Sequence, residues 1–176
     1  MANRALVKKR HEDAVLEDFV AFLNHRFKAR YSIEARPDPP EAIIRGSRRR
    51  RWVEVADVFY SRDYAHDILS YATPGERHHD TSGIVQYDVD GKLARQFVSI
   101  LQKKVMKKSY LSFRERYGPG LLLLVINHPW FDDRTVWYMK NATRAASWEK
   151  DLGCFSSVYF SFRLGSGWSY KRWRYA

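Results

Sequence analysis

Three carboxylates lie in or just before two segments that are typical of neighbouring β-strands. Glu54 occupies the middle of the strand-like run Trp52–Tyr60. Asp38 and Glu41 precede the shorter run Ala42–Arg45. A Gly-Ser turn between the runs predicts a hairpin, which can bring an acid at the start of its first strand close to Glu54. Converging carboxylates suit Mg²⁺ or Mn²⁺, which can orient a water and neutralise a phosphodiester during hydrolysis.

Glu54 is the most informative of these acids because of its place in the strand. Side chains alternate between the two faces of a strand, so Glu54 shares a face with Trp52 and other apolar residues. A charge there is costly unless it is paired, solvated at a cleft or bound to a metal. The alternative to a metal site is an ion pair with Arg49 or Arg51. Asp57 lies on the opposite face, and we expect it to cap, pair or extend the site rather than to bind metal directly.

A lysine on a later predicted helix lies at an unusual position. At about 100° per residue, Lys104 lies about 20° from Leu93, in the middle of the helix's apolar stripe. Lysine rarely faces a core without a partner, so we expect Lys104 to reach Glu54 and a water nucleophile. The alternative is that its alkyl stem covers the core while its ammonium reaches solvent. Lys103 and Lys107, at the edge of the stripe, are weaker substitutes.

The segments around these acids resemble the PD-(D/E)XK nuclease superfamily, whose core runs helix, three strands, helix, strand. The stretch PDPPEAII matches the first acidic motif and WVEVADVF the second, and the resemblance covers approximately residues 12–127. It implies a metal-dependent endonuclease in which Glu41 and Glu54 hold Mg²⁺ or Mn²⁺, with Asp38 as the second choice for the first acid. On their own, Asp38 and Glu41 are equally well explained as loop carboxylates beside prolines.

The sequence departs from the superfamily's pattern at one chemically serious position. The lysine expected two residues after the second acid is replaced by Ala56. Some members supply that cation from the following helix, which is the role that the resemblance implies for Lys104. Several members also carry a glutamate on the first helix near the metal, and Glu17 is the residue that matches it. A solvated helix face is the alternative explanation of Glu17.

The charge balance indicates a polyanionic partner. The 31 Lys and Arg residues exceed the 20 Asp and Glu residues, and the net charge of +11 favours nucleic acid, DNA or RNA. The residues expected to contact its phosphates are Arg48, Arg49, Arg50, Arg51, Lys103 and Lys107. The aromatic and basic stretch 168–176 either joins this surface or forms an edge strand with solvated charges. A basic surface unrelated to function is the alternative, because pI carries no information about chemistry.

Two other functions remain open at this stage. The first is a nucleic-acid-binding module on the same scaffold without catalysis, which is consistent with Ala56. The second is a basic protein-interaction or toxin-system component whose charge neutralises an acidic partner. The sequence also leaves a homodimer open.

The elements that must position these residues predict an α/β fold with a mixed central sheet flanked by helices, in one domain of residues 1–176. The predicted elements are a helix 11–27, strands 42–45 and 52–60, a long loop 71–91, a helix 92–116, a buried strand 121–127 and a strand 156–163. Residues 1–9 are expected to be a flexible end. The single cysteine, Cys154, and the lack of an apolar leader or a membrane-length apolar run predict a cytoplasmic protein.

Overall fold

The computed structural model describes residues 4–47, 49–128, 130–146, 151–164 and 167–173, which form a six-stranded sheet flanked by helices. The strands are β1 (Ser32–Ala35), β2 (Ala42–Arg45), β3 (Arg50–Phe59), β4 (Gly120–Asn127), β5 (Phe155–Leu164) and β6 (Gly167–Arg172). The helices are α1 (Arg4–Phe27), α2 (Arg62–Ala72), α3 (Val89–Val105), α4 (Leu111–Tyr117) and α5 (Asp133–Ala145), with a 3₁₀ turn at Lys108–Tyr110. The predicted mixed α/β architecture is therefore confirmed.

The sheet runs in the order β1-β2-β3-β4-β5-β6 and combines both kinds of strand pairing. The three central strands β3, β4 and β5 are parallel, whereas β1-β2, β2-β3 and β5-β6 pair antiparallel. Helices connect the parallel strands, as crossover connections require. The central strand β4 is buried from Gly120 to Ile126, which confirms the prediction of a strand covered on both faces.

Two apolar layers cover the sheet, and the alternation of β4 side chains divides them. Leu121, Leu123 and Val125 face one layer, where α1 contributes residues such as Phe19. Leu122, Leu124 and Ile126 face the other layer, built mainly by α3 and α5. Glu54 lies on β3 opposite Leu122 in the parallel register, so it belongs to the face covered by α3.

Trp52 anchors the start of β3 against the α3 side of the sheet. It is fully buried, and its indole Nε1 donates a hydrogen bond of 2.9 Å to the carbonyl of Gly118. Its ring packs 4.9 Å from the ring of Phe155 and 5.3 Å from that of Tyr110. The close approach of β4 to the indole requires Gly120, since a Cβ atom at that position would overlap Trp52.

The predicted single helix 92–116 is wrong, because the structure ends α3 at Val105 and starts α4 at Leu111. Lys107 has an extended backbone with ψ of 108°. In an uninterrupted helix, Tyr110 would lie about 100° from Leu93, outside the apolar stripe. The break turns Tyr110 inwards, where it is fully buried against Trp52.

Other element boundaries also differ from the sequence predictions. Helix α1 begins at Arg4, so the described part of the expected flexible end 1–9 is helical. The loop predicted at 71–91 is shorter in the structure and covers 73–88, because α2 ends at Ala72 and α3 begins at Val89. The stretch 168–176 supplies most of β6, which is an edge strand, and residues 174–176 lie outside the described residues. Strand β1 and helices α2 and α5 were not predicted.

No helix in the described ranges combines the length and the apolar character needed to cross a membrane.

We expect Gly120→Ala to destabilise the fold by about 1–3 kcal/mol, the usual cost of forcing extra atoms into a packed core. The added methyl group would collide with the buried ring of Trp52. Gly83→Ala is the matched control, since a Cβ atom there meets nothing within 4 Å. Urea unfolding monitored by tryptophan fluorescence measures both variants. Equal stability of the two variants would contradict this packing of Trp52.

Candidate functional site

An ion pair between β3 and α3 forms the centre of the candidate site. The side chain of Glu54 is 2% exposed, and Nζ of Lys104 donates a hydrogen bond to its Oε1 atom. The Lys104 side chain is 24% exposed, so it bridges the buried carboxylate and the surface. The helical spacing predicted this contact correctly. Neither Arg49 nor Arg51, the alternative partners, forms an ion pair with Glu54.

The second oxygen of Glu54 is buried without a hydrogen-bond partner among the described residues. The nearby hydroxyl of Tyr110 is likewise buried without a partner. Burial first, and then the negative charge of Glu54 and a hydrogen-bonding interaction with it, raise the pKa of Tyr110. The Tyr110 hydroxyl therefore lies close to the Glu54 carboxylate, although its geometry falls short of a hydrogen bond. A buried anionic oxygen is costly unless a cation or a hydrogen-bond donor satisfies it.

Glu41 lies beside Glu54 across the hairpin. It immediately precedes Ala42, which pairs with Val53 in the β2-β3 register. Burial raises the pKa of Glu41 to about 7, and the charges of Glu12, Glu54 and Asp38 add to this effect while Lys104 opposes it. The strand register and this mutual influence place Glu41 next to Glu54. Asp38 contributes charge to the cluster.

Helix α1 supplies a fourth carboxylate that the sequence interpretation missed. Glu12 raises the pKa of Glu41 and lies 3.3 Å from Nζ of Lys8, measured to its Oε1 atom. Burial lowers the pKa of Lys8, but Glu12, Glu41 and Asp57 together raise it above its usual value. We call Glu12, Asp38, Glu41 and Glu54 the acidic cluster. The position of Glu12 in this cluster depends on how α1 docks on the sheet, and no local sequence pattern specifies that docking.

The structure does not bring Glu17, the predicted helical acid, to the acidic cluster. Its side chain is 67% exposed and lies 2.9 Å from Nη2 of Arg36. Five residues separate it from Glu12, which corresponds to about 140° around a helix, so the two acids point to different sides. Asp57 also has other partners, because its Oδ1 atom lies 3.2 Å from Nε2 of His11 and 2.8 Å from Nδ2 of Asn127.

The predicted phosphate contacts do not form one continuous surface. Arg50 makes two hydrogen bonds of 2.6 Å to the carboxylate of Glu34. Arg51 lies on the opposite strand face and donates a 3.3 Å hydrogen bond to Oγ of Ser156. Arg49 is exposed, and Arg48 lies outside the described residues. Arg49, Arg50 and Arg51 lie at or just after the turn of the hairpin, and even Arg51 is three residues, or about 10 Å, from Glu54 along β3.

The two candidate lysines of the α3 region have different environments. Lys103 is exposed on α3. Lys107 lies beyond the end of α3, where its Nζ is 4.9 Å from the centre of the Tyr110 ring. Lys107 is therefore an exposed positive charge on the ring whose hydroxyl lies near Glu54.

The described residues contain no ready-made group of three His, Cys, Asp or Glu side chains that could hold a metal ion. Magnesium, however, is usually bound by only one or two carboxylates, with water and substrate phosphates filling its other positions. Glu54 with its free Oε2 atom and the adjacent Glu41 fit that requirement. The donor atoms are all oxygens, which favours Mg²⁺ or Mn²⁺ over a softer metal.

No protein-family model, curated protein or solved structure matches this chain. The geometry of the acidic cluster therefore carries the functional argument.

We expect Glu41 to make the stability of the metal-free protein depend on pH. Its pKa rises from 4.5 to about 7 on folding, so the native state favours the protonated form. This contribution is complete below pH 4.5 and is lost as the pH rises through about 7. Urea unfolding in EDTA should show that Glu41→Gln removes this part of the pH dependence.

Glu115→Gln is the control for this measurement, because Glu115 is exposed on α4. It should retain the pH profile of the parent protein. A Glu41→Gln profile identical to that of the parent would mean that Glu41 does not lie among the other carboxylates.

Proposed function

We propose that this chain is a divalent-metal-dependent nuclease of the PD-(D/E)XK type that hydrolyses phosphodiester bonds in DNA or RNA. One observation carries the proposal: the buried carboxylate of Glu54 is paired through one oxygen with Lys104, makes no hydrogen bond to a described residue through its other oxygen, and lies beside Glu41. The order of α1, three strands, further helices and β4 is also the order of the core in that superfamily.

Glu54 and Glu41 are the residues that would hold Mg²⁺ or Mn²⁺. The ion would supply positive charge to the phosphate and lower the pKa of a water nucleophile. Because burial and neighbouring carboxylates raise the pKa of Glu41 to about 7, its proton competes with the metal near neutral pH. The negative charge of the acidic cluster is what a dication would neutralise.

Lys104 provides the positive charge that Ala56 does not. Its ammonium has three N–H donors, and one of them is directed at Oε1 of Glu54. This contact fixes the orientation of Glu54, while the remaining donors can reach an attacking water or a phosphate oxygen. Its partial exposure leaves the ammonium accessible from solvent, where a substrate would approach.

Tyr110 closes the other side of Glu54. Its ring is buried against Trp52, and the raised pKa of its hydroxyl keeps that group protonated at neutral pH. It therefore remains a hydrogen-bond donor beside Glu54. Lys107, on the outer side of the Tyr110 ring, adds an exposed charge that can contact a phosphate backbone.

A nucleic-acid-binding module without catalysis is the second candidate. It is favoured by Ala56 and by the finding that the described residues hold no three-ligand metal group. Cleavage assays on single- and double-stranded DNA and RNA, with Mg²⁺ or Mn²⁺ and with EDTA, separate the two functions. Salt-sensitive binding without cleavage would support the module.

We expect Glu54→Gln to abolish metal-dependent cleavage, because the amide keeps the shape but removes the anionic oxygen that the metal requires. Cleavage of a fluorescent oligonucleotide and the melting temperature are measured on the same preparation. Glu115→Gln is the control and should retain full activity. A Glu54→Gln protein that melts earlier but cleaves at the parental rate would identify Glu54 as a structural ion-pair partner.

We expect Lys104→Met to lower the cleavage rate by about 10²- to 10⁴-fold, the range for losing a positioned proton-transfer group. Methionine fills the same apolar stripe, but Glu54 loses its counter-charge, so the melting temperature is measured together with the cleavage rate. Lys92→Met is the matched control, because Lys92 lies on α3 outside the stripe. Equal cleavage rates for the two variants would exclude Lys104 from the chemistry.

A further inference from the structure

A separate pocket of about 510 Å³ lies at the amino ends of the parallel strands, away from the acidic cluster. This volume is within the about 300–1,000 Å³ that is typical of small-molecule sites. The lining side chains that matter here are Arg49, Arg51, Arg172, Tyr31, Tyr159 and Ser156. Strand β3 connects the pocket to the acidic cluster, since Arg51 precedes Glu54 by three residues, or about 10 Å.

The charge of this pocket is unbalanced. Three arginines line it and no Asp or Glu does, and none of the three forms an ion pair with a described residue. Burial is the main cause that lowers the pKa of Arg51. The second cause is repulsion from the positive charge of Arg49. Like charges held together without a counterion are unfavourable, and a bound anion would relieve that repulsion.

On the outward side of the same hairpin, an acid compensates part of the charge. There, Glu34 accepts both hydrogen bonds from Arg50 and lies 3.9 Å from Nη1 of Arg45. Arg51 has no such carboxylate partner among the described residues, although it is partly buried. This contrast argues against a merely solvated basic surface as the explanation for Arg51.

The pocket also offers polar and aromatic groups suited to a ring-bearing ligand. Tyr159 is 4% exposed and experiences the charges of Arg172, Arg51 and Arg26. Tyr31 lines the same pocket and is only partly buried, so its ring is the one that a nucleobase could contact. Arginine forks match the geometry of phosphate oxygens, and tyrosine faces stack on nucleobases.

We propose that this pocket binds a nucleotide through its terminal phosphate monoester. Three unpaired guanidinium groups suit the dianionic charge of a monoester better than the single charge of a phosphodiester. The phosphate is either the end of a nucleic-acid strand or part of a free nucleotide. The site does not depend on metal-dependent hydrolysis, because none of the acidic cluster lines it.

The test measures binding in EDTA, so that no cleavage occurs. Fluorescence anisotropy compares a short labelled oligonucleotide with a 5′-phosphate, with a 3′-phosphate and with hydroxyl groups at both ends. We expect one phosphorylated strand to bind about tenfold more tightly, the effect of a single strong charge-assisted hydrogen bond. Adenosine 5′-monophosphate as a competitor distinguishes the source of the phosphate: full competition identifies a free nucleotide, and weak competition identifies a strand end.

The variants Arg51→Gln and Arg172→Gln should remove the preference for the phosphate. Lys171→Gln, the control on the adjacent β6 residue, should retain it, because Lys171 lies over the Phe162 ring and does not line the pocket. Arg172 is exposed on an edge strand, so its replacement should not disturb folding. If Arg51→Gln folds poorly, Arg172→Gln alone still tests the proposal. Equal binding of all three strands to the parent, together with no competition by the mononucleotide, would overturn the proposal. A phosphate preference that survives both arginine replacements would also overturn it.

Failure of this inference is distinguishable from failure of the nuclease proposal. Glu54→Gln should retain the phosphate preference, because Glu54 lies outside the pocket. Phosphate-dependent binding without any metal-dependent cleavage would remove only the nuclease proposal. Cleavage without a phosphate preference would remove only the pocket proposal.

Discussion

The burial of one carboxylate in the sheet is the constraint that organises this protein. Glu54 is almost inaccessible to solvent, so a counter-charge must accompany it. Lys104 meets this need on one oxygen and thereby fixes how α3 lies across β3. Burial first, and then the charges of Glu12, Glu54 and Asp38, raise the pKa of Glu41 to about 7, so a cation bound as proposed would compete with a proton near neutral pH. Under the proposed function, the ion pair serves both the fold and the chemistry.

Charge of opposite sign is separated along the central strand β3. Glu54 lies near the middle of the strand on the α3 side, whereas Arg51 enters a basic pocket on the α1 side nearer its start. Strand alternation makes this separation possible, because residues three positions apart face opposite sides of the sheet. A polyanion bound at the basic end, as proposed, would therefore lie within a few residues of the carboxylates.

Side-chain periodicity predicted the positions of Glu54 and Lys104, but the positions of the surrounding residues depend on how the helices dock on the sheet. Strand alternation placed Glu54 correctly, and helical spacing placed Lys104 correctly, because both depend only on local geometry. Glu12 could not be found in this way, since its role depends on where α1 crosses the sheet. The break before Tyr110 was missed because packing against Trp52 overrode a continuous helical pattern. The different environments of Arg50 and Arg51 likewise depend on partners far away in the sequence.

The two edges of the sheet discourage strand-by-strand association. Strand β1 has four residues and an irregular register between Ile33 and Ala35, and β6 carries the exposed charges of Lys171 and Arg172. Short, irregular and charged edges are poor templates for the addition of another strand and protect sheets from aggregation. Continuous β-sheet extension between molecules is therefore disfavoured, which leaves the helix-covered faces as the better surfaces for self-association.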